Sequence, residues 1–141
     1  MNRPAVLLLD DSPAVHERVR KAFDGQPVEL EATDSWVDAK ARLLERTPPD
    51  LLILDLQMPT IDGRTFGRVI KRRLPMPIVV YSSETAQHIA EAVAYVGAEG
   101  GVSKSAPDEE LVRQVMVLLG RARDKTAADA ARPEAGGERA P

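Results

Sequence analysis

The sequence predicts an α/β protein: a three-layer sandwich of five β–α units around a parallel sheet. Three observations predict it. Short apolar runs alternate with amphipathic stretches along the chain. The runs show little polar alternation, as expected of strands buried on both faces. Turn and capping residues stand at the junctions, and right-handed crossovers between parallel strands then place helices on both faces of the sheet.

Val6 to Leu9 is the first strand, stopped by Asp10-Asp11. Ser12 caps the first helix, with Pro13 at the position where a missing N–H is harmless. Val15, Val19 and Phe23 follow at spacings of four, and Gly25 ends the helix. Val28 to Ala32 is a weaker strand. Val37, Ala41 and Leu44 form the second helical stripe, stopped before Pro48-Pro49. Leu51 to Leu54 is the third strand, stopped by Asp55, and Asp62-Gly63 is the turn that sets the third helix. That helix carries Phe66, Val69 and Ile70 and ends at Pro75. Arg64, Arg68, Lys71 and Arg72 fall opposite this stripe and read as a solvated face. Ile78 to Tyr81 is the fourth strand, stopped by Ser82-Ser83. Ile89, Val93 and Val96 mark the fourth helix, with Gly97 as its C-cap. Gly100 to Ser103 is the fifth strand, stopped by Lys104. Ser105 is the expected cap of a fifth helix bearing Leu111, Val115, Leu118 and Leu119. Residues 1–123 therefore read as one domain. From Asp124 to Pro141 no large apolar residue appears, and this stretch reads as a disordered tail.

Composition narrows the function. A net charge of −3 gives no drive toward nucleic acid or an anionic membrane. With no cysteine, disulfide frameworks, thiolate metal sites and cysteine nucleophiles are excluded. The apolar stretch before Asp10 is too short for a signal peptide or a membrane span, so the cytoplasm is the expected compartment. His16 and His88 lie in helical stretches and read as solvated residues, and Trp36 as packing at the edge of the second helix.

The chemistry gathers at strand ends: Asp10 and Asp11 after the first strand, Asp55 after the third, Ser82 after the fourth, Lys104 after the fifth. Ligands bind at that edge in open α/β sheets. Converging carboxylates repel and need a counter-ion, and oxygen ligands suit Mg²⁺ or Mn²⁺ rather than zinc. Three carboxylates, one lysine and one divalent ion sum to zero charge. A carboxylate here can attack phosphorus to give an aspartyl phosphate. The metal and Lys104 would then offset charge on the transferring oxygens, and the Ser82 hydroxyl could donate to one of them.

This spaced set, together with Asp55-Leu56-Gln57-Met58-Pro59-Thr60-Ile61-Asp62-Gly63, resembles the receiver domains of response regulators and their D-x-x-M-P-x-x-D-G signature over about residues 5–120. The resemblance implies a flavodoxin-like doubly wound (βα)5 sheet with strand order 2-1-3-4-5. It also implies that Asp55 is the phosphoacceptor. Asp10, Asp11, Asp55 and the backbone carbonyl of Gln57 would hold the metal, with Asp11 a direct ligand, while Ser82 and Lys104 contact the phosphoryl group. The implied donor is a histidine kinase or a histidine phosphotransfer protein, and the implied output a contact with a downstream protein. No separate substrate is expected, so the protein reads as a switch rather than an enzyme. Two positions depart from the family pattern. Gly101 stands where an aromatic residue is usual, and Ser105 where a cis proline usually follows the lysine.

Three rivals follow. An inactive receiver used as a constitutive binding module is left open by Gly101 and Ser105. A phosphatase of the haloacid-dehalogenase type would want Asp at position 57, which is Gln. A nucleotide-binding module would want a Gly-rich turn in place of Asp10-Asp11-Ser12-Pro13.

Overall fold

The computed structural model describes residues 3–131. Five parallel strands form the main sheet: β1 (Ala5–Leu9), β2 (Glu29–Thr33), β3 (Leu51–Leu54), β6 (Ile78–Ser82) and β7 (Gly100–Ser103). The two short strands β4 (Gln57–Met58) and β5 (Ile61–Asp62) pair antiparallel directly after β3. The sheet order is β2-β1-β3-β6-β7, which is 2-1-3-4-5 when only its own strands are numbered. This is the flavodoxin-like fold expected of the sequence. Five helices cover it: α1 (Pro13–Ala22), α2 (Trp36–Leu43), α3 (Gly63–Arg73), α4 (Ala86–Val96) and α5 (Asp108–Ala131).

Successive strand residues point to opposite faces. Val6 and Leu8 of β1, with Leu51 and Ile53 of β3, pack with Val19 of α1 and Leu111, Val115 and Leu119 of α5. Leu7 and Leu9, with Leu52 and Leu54, pack with Ala39 and Leu43 of α2 and Phe66 and Ile70 of α3. Because β1 and β3 are buried on both faces, their sequences are unbroken apolar runs. A smaller cluster of Val80, Ile89, Ala92 and Leu56 seats α4.

The junction residues act as their chemistry suggests. Ser12 Oγ accepts from the Val15 N–H, with Pro13 starting α1. Asp62 accepts from the Arg64 N–H to start α3, and Gly97 takes a left-handed φ of 80° to end α4.

Three elements differ from expectation. In α3, Val69 of the expected stripe is 48% exposed, while Phe66 and Ile70 are buried. In α2 the stripe expected to be buried faces outward: Val37 is 56% and Leu44 52% exposed, while Ala39 and Leu43 are buried. Trp36, Ala39 and Leu43 form an equally good helical stripe, and it is this one that meets the sheet. In α5 the first residue is Asp108, and Ser105 does not cap it. The Ser105 N–H and hydroxyl instead bond the Ser103 hydroxyl, at 3.1 and 2.7 Å. α5 continues to Ala131, past Asp124 where the tail is expected to begin, through an alanine-rich stretch of high helix propensity. Residues 132–141 lie outside the described residues. Gln114 of α5 reaches over β7, donating to the Gly101 carbonyl at 3.3 Å and to Glu110 at 3.0 Å. Among the described residues, no helix is long and apolar enough to cross a membrane.

Candidate functional site

In-register parallel pairing brings the strand ends level. Leu9 pairs with Leu54, and Leu54 with Val80. The ladder continues past the strands: the Asp55 N–H donates to the Leu9 carbonyl at 3.0 Å, and the Lys104 N–H to the Ser82 carbonyl at 2.8 Å. The strand ends therefore meet at one edge, where the side chains of Asp10, Asp11, Asp55 and Lys104 are drawn together.

Asp10 is fully buried, Asp55 is 3% exposed and Asp11 lies open to solvent. One carboxylate oxygen from each of the three lies within 4.8 Å of the others. Lys104 Nζ stands 2.7 Å from Asp10 Oδ2 and 3.2 Å from Asp55 Oδ1. Burial raises the Asp55 carboxyl above its ordinary value, the Asp10 charge raises it further, and Lys104 opposes both. Burial alone would lower the Lys104 ammonium, but its two carboxylate partners outweigh that effect and hold it above its ordinary value.

Asp10 Oδ1 accepts from the Ser12 N–H at 2.9 Å. Asp10 Oδ2 is buried with no hydrogen-bond partner, although the Lys104 charge is close: the contact is Coulombic, off the hydrogen-bond direction. Lys104 offsets much of the charge on that oxygen, and the oxygen keeps acceptor capacity for a cation. With two further carboxylates beside it, the donor set is all oxygen and suits a hard divalent cation of the Mg²⁺ or Mn²⁺ type.

The backbone around Asp55 is tightly held. The Gln57 N–H donates to Asp55 Oδ1 at 3.3 Å, and the Gln57 side chain accepts from the Ser83 hydroxyl at 3.4 Å. A Cβ on Gly63 would stand 2.5 Å from the Asp55 carbonyl oxygen and 2.8 Å from Leu56 Cα, so the start of α3 lies against the Asp55 backbone only because residue 63 is glycine.

Ser82 is fully buried, and its hydroxyl accepts from the Glu84 N–H at 3.0 Å. The Glu84 carboxylate in turn receives the Arg64 guanidinium at 2.7 Å, with His88 Nδ1 at 3.7 Å. Sequence reasoning missed this link, because Glu84 is an ordinary loop acid and Arg64 sits on a stripe read as solvated. Two more of that stripe are engaged: Arg68 stacks 4.5 Å from the Tyr95 ring centroid, and Lys71 pairs with Glu99, while Arg72 is exposed as expected. His16 is likewise half-buried rather than solvated. Its Nε2 lies 2.6 Å from the Asp10 carbonyl and ties α1 to the acidic corner.

At Gly101 the space of the usual aromatic ring is filled by α4. A Cβ there would stand 2.6 Å from Ile89 Cγ2 and 2.8 Å from Val93 Cγ2. No peptide bond among the described residues is cis.

The chain is similar to known proteins in sequence and in fold. A protein-glutamate methylesterase/protein-glutamine glutaminase of Cereibacter sphaeroides is 34% identical over 112 residues, covering 77% of this chain and 30% of that protein. A counterpart from Bradyrhizobium diazoefficiens is 40% identical over 81 residues, covering 57% of this chain and 22% of that protein. The chain thus matches less than a third of the length of these curated relatives. Among solved structures, a signal receiver domain from Vibrio parahaemolyticus superposes with a TM-score of 0.81 at 25% identity, covering 89% of this chain and 97% of that one. The signal receiver domain of an HD domain-containing protein from Pseudomonas fluorescens Pf-5 shares the fold, with a TM-score of 0.80 at 22% identity over 90% of this chain and 94% of that one. Residues 6–116 match the family described as the response regulator receiver domain. That span holds the whole sheet core and every member of the acidic corner, and the chain belongs to the response regulator receiver domain family.

Proposed function

We propose that this receiver domain is a signalling switch that accepts a phosphoryl group on Asp55 from a histidine kinase or a histidine phosphotransfer protein. The observation that carries this reading is the buried corner itself: Asp10 and Asp55 held together around Lys104, with Asp10 Oδ2 held by the Lys104 charge alone. Asp10, Asp11, Asp55 and the Gln57 backbone carbonyl would hold Mg²⁺ or Mn²⁺. When bound, the cation supplies positive charge to the carboxylates and to the oxygens of the incoming phosphoryl group.

An Asp55 carboxylate oxygen attacks phosphorus. A P–O bond forms as the P–N bond to the donor histidine breaks, and the electron pair leaves on the imidazole. The Lys104 ammonium, already 3.2 Å from Asp55, stabilises charge on the transferred group. The Ser82 hydroxyl donates to a phosphoryl oxygen. Because that oxygen atom of Ser82 also receives the Glu84 N–H, its reorientation pulls on the loop leading to α4 and on the Glu84–Arg64 pair. Output runs through contact with a downstream protein, with no separate substrate turned over by these residues, in the cytoplasm.

Incubation with Mg²⁺ and acetyl phosphate tests this by intact mass. The expected result is one phosphoryl adduct, labile to hydroxylamine and absent from Asp55→Ala. A stable adduct on Ser82, Ser83 or a histidine would refute the assignment.

One observation favours a second reading, a constitutive binding module: α4 is already packed onto Gly101, where a moving ring is usual. Amide shifts with and without a phosphoryl mimic separate the two. Changes confined to the acidic corner favour the module; changes extending through residues 83–86 into α4 favour the switch.

A further inference from the structure

The α2–α3 face carries a feature that the phosphoryl chemistry does not use. An open groove of about 280 Å³ runs between the two helices, floored by Trp36, Phe66 and Ile70 and walled by Leu44 and Val69. Leu44 is 52% and Val69 48% exposed, and Val37, 56% exposed, stands on the same helix as Trp36. These are three of the five most exposed large hydrophobics among the described residues. Val37 and Leu44 are exposed because α2 turns its other stripe, Ala39 and Leu43, to the sheet.

The lining also holds two cations, Lys40 and Arg73, and no carboxylate. Neither cation makes an ion pair among the described residues, in contrast to Arg42, Arg64 and Lys71 nearby. The groove therefore offers apolar floor and unmatched positive charge together. Its walls are the helices α2 and α3, and the strand it touches, at Ile61, is the two-residue β5, too short to template an extended peptide. Apolar side chains at helical spacing fit such a cleft, with charge at the rim setting orientation.

We propose that the α2–α3 groove docks an acidic amphipathic helix of a partner protein, its apolar face on Trp36, Leu44 and Val69 and its carboxylates toward Lys40 and Arg73. The docking does not depend on phosphorylation of Asp55.

The test is selection of helix-forming peptides of about 16 residues by phage display on the full chain, followed by titration of a synthetic selected peptide. Trp36 is the only tryptophan, so its emission reports occupancy directly. The expected peptides carry Leu, Ile or Phe at helical spacing with flanking Asp or Glu, and shift Trp36 emission. The double variant Lys40→Glu/Arg73→Glu, with both changes exposed, should weaken binding by about tenfold or more with an unchanged melting curve. Val69→Glu should do the same.

Failure to enrich any peptide, enrichment of basic or uncharged ones, or equal binding to the charge-reversed variant would overturn the proposal. Concentration-dependent self-association lost in Val69→Glu would overturn it in favour of a second copy of this chain. Sedimentation with phosphatidylglycerol–phosphatidylcholine vesicles, lost in the charge-reversed variant, would overturn it in favour of a lipid surface.

Discussion

Two neighbouring corners of this sheet are built on opposite principles. At the ends of β1, β3 and β7, charges converge on one another: Asp10, Asp55 and Lys104 are held in contact by strand register. A few residues away, where α4 meets β7, the contact is defined by an absence of side chain: Ile89 and Val93 press onto Gly101. The first corner stores electrostatic tension that a ligand can relieve. The second is closed by van der Waals contact and offers no void for a ring to enter. The charged corner and the α4–β7 contact are thus built independently, and substitutions can act on one while leaving the other in place.

The largest effect is expected at the charged corner. Asp55→Asn should abolish the phosphoryl adduct in intact-mass measurement while raising the melting temperature by a few degrees, since it removes a buried charge beside Asp10. The sign follows from linkage. The Asp55 carboxyl is raised by burial and by Asp10, so the folded protein binds its proton more readily than the unfolded chain. That contribution is present below the unfolded value and is lost as pH rises through the folded one. The stability advantage of Asp55→Asn over wild type should therefore widen as pH rises through the folded value, as urea melts at a series of pH values will show.

Lys104→Met leaves both buried carboxylates without a cation and should cost about 3 kcal/mol in urea denaturation at neutral pH, with recovery on acidification as a carboxylate takes up a proton. The wild-type Lys104 contribution is complete below its unfolded pKa, hence at neutral pH, and is lost only as pH rises through its higher folded value.

Gly101→Tyr probes the close-packed corner. Its Cβ alone meets two methyl groups below 3.0 Å, so α4 must lift, at a cost of about 1–3 kcal/mol. Pairing it with Ile89→Ala should recover part of that loss; full additivity of the two costs would mean α4 does not rest on Gly101. The smallest effect belongs to the link between the corners. Glu84→Gln weakens the Arg64 contact and should change stability by less than about 1 kcal/mol. It should nonetheless shrink the α4 amide shifts produced by a phosphoryl mimic, and unchanged shifts would remove Glu84 from the relay.

The charged corner was legible in the sequence because each member stands at the end of its own strand, and parallel register does the rest. Asp10, Asp55, Ser82 and Lys104 needed no knowledge of distant contacts. The fold was legible for the same reason, since β1 and β3 are unbroken apolar runs. What escaped is long-range or depends on helix rotation. Val37 and Leu44 make a fair stripe, but Trp36 and Leu43 make another, and only docking decides between them. Glu84 with Arg64, His16 with the Asp10 carbonyl, and α4 on Gly101 join elements whose spacing in the chain carries no signal.

Gln114 has a consequence for how copies of this protein meet. Every open sheet ends in two strands with unpaired backbone groups, which invite growth by further strands and, in crowded solution, fibrils. At one margin, β2 presents the exposed Glu29, whose charge repels a like neighbour, and Glu31, whose ion pair with Arg42 lays a helix side chain against the strand. At the other, β7 is short and rich in glycine, with no charged side chain of its own to repel an incoming strand. There the Gln114 amide, braced by Glu110, occupies the Gly101 carbonyl and lies across Gly100. One helix side chain thereby stands guard over a strand whose own sequence cannot, and Gln114→Ala should leave the fold standing while exposing that margin to sheet extension.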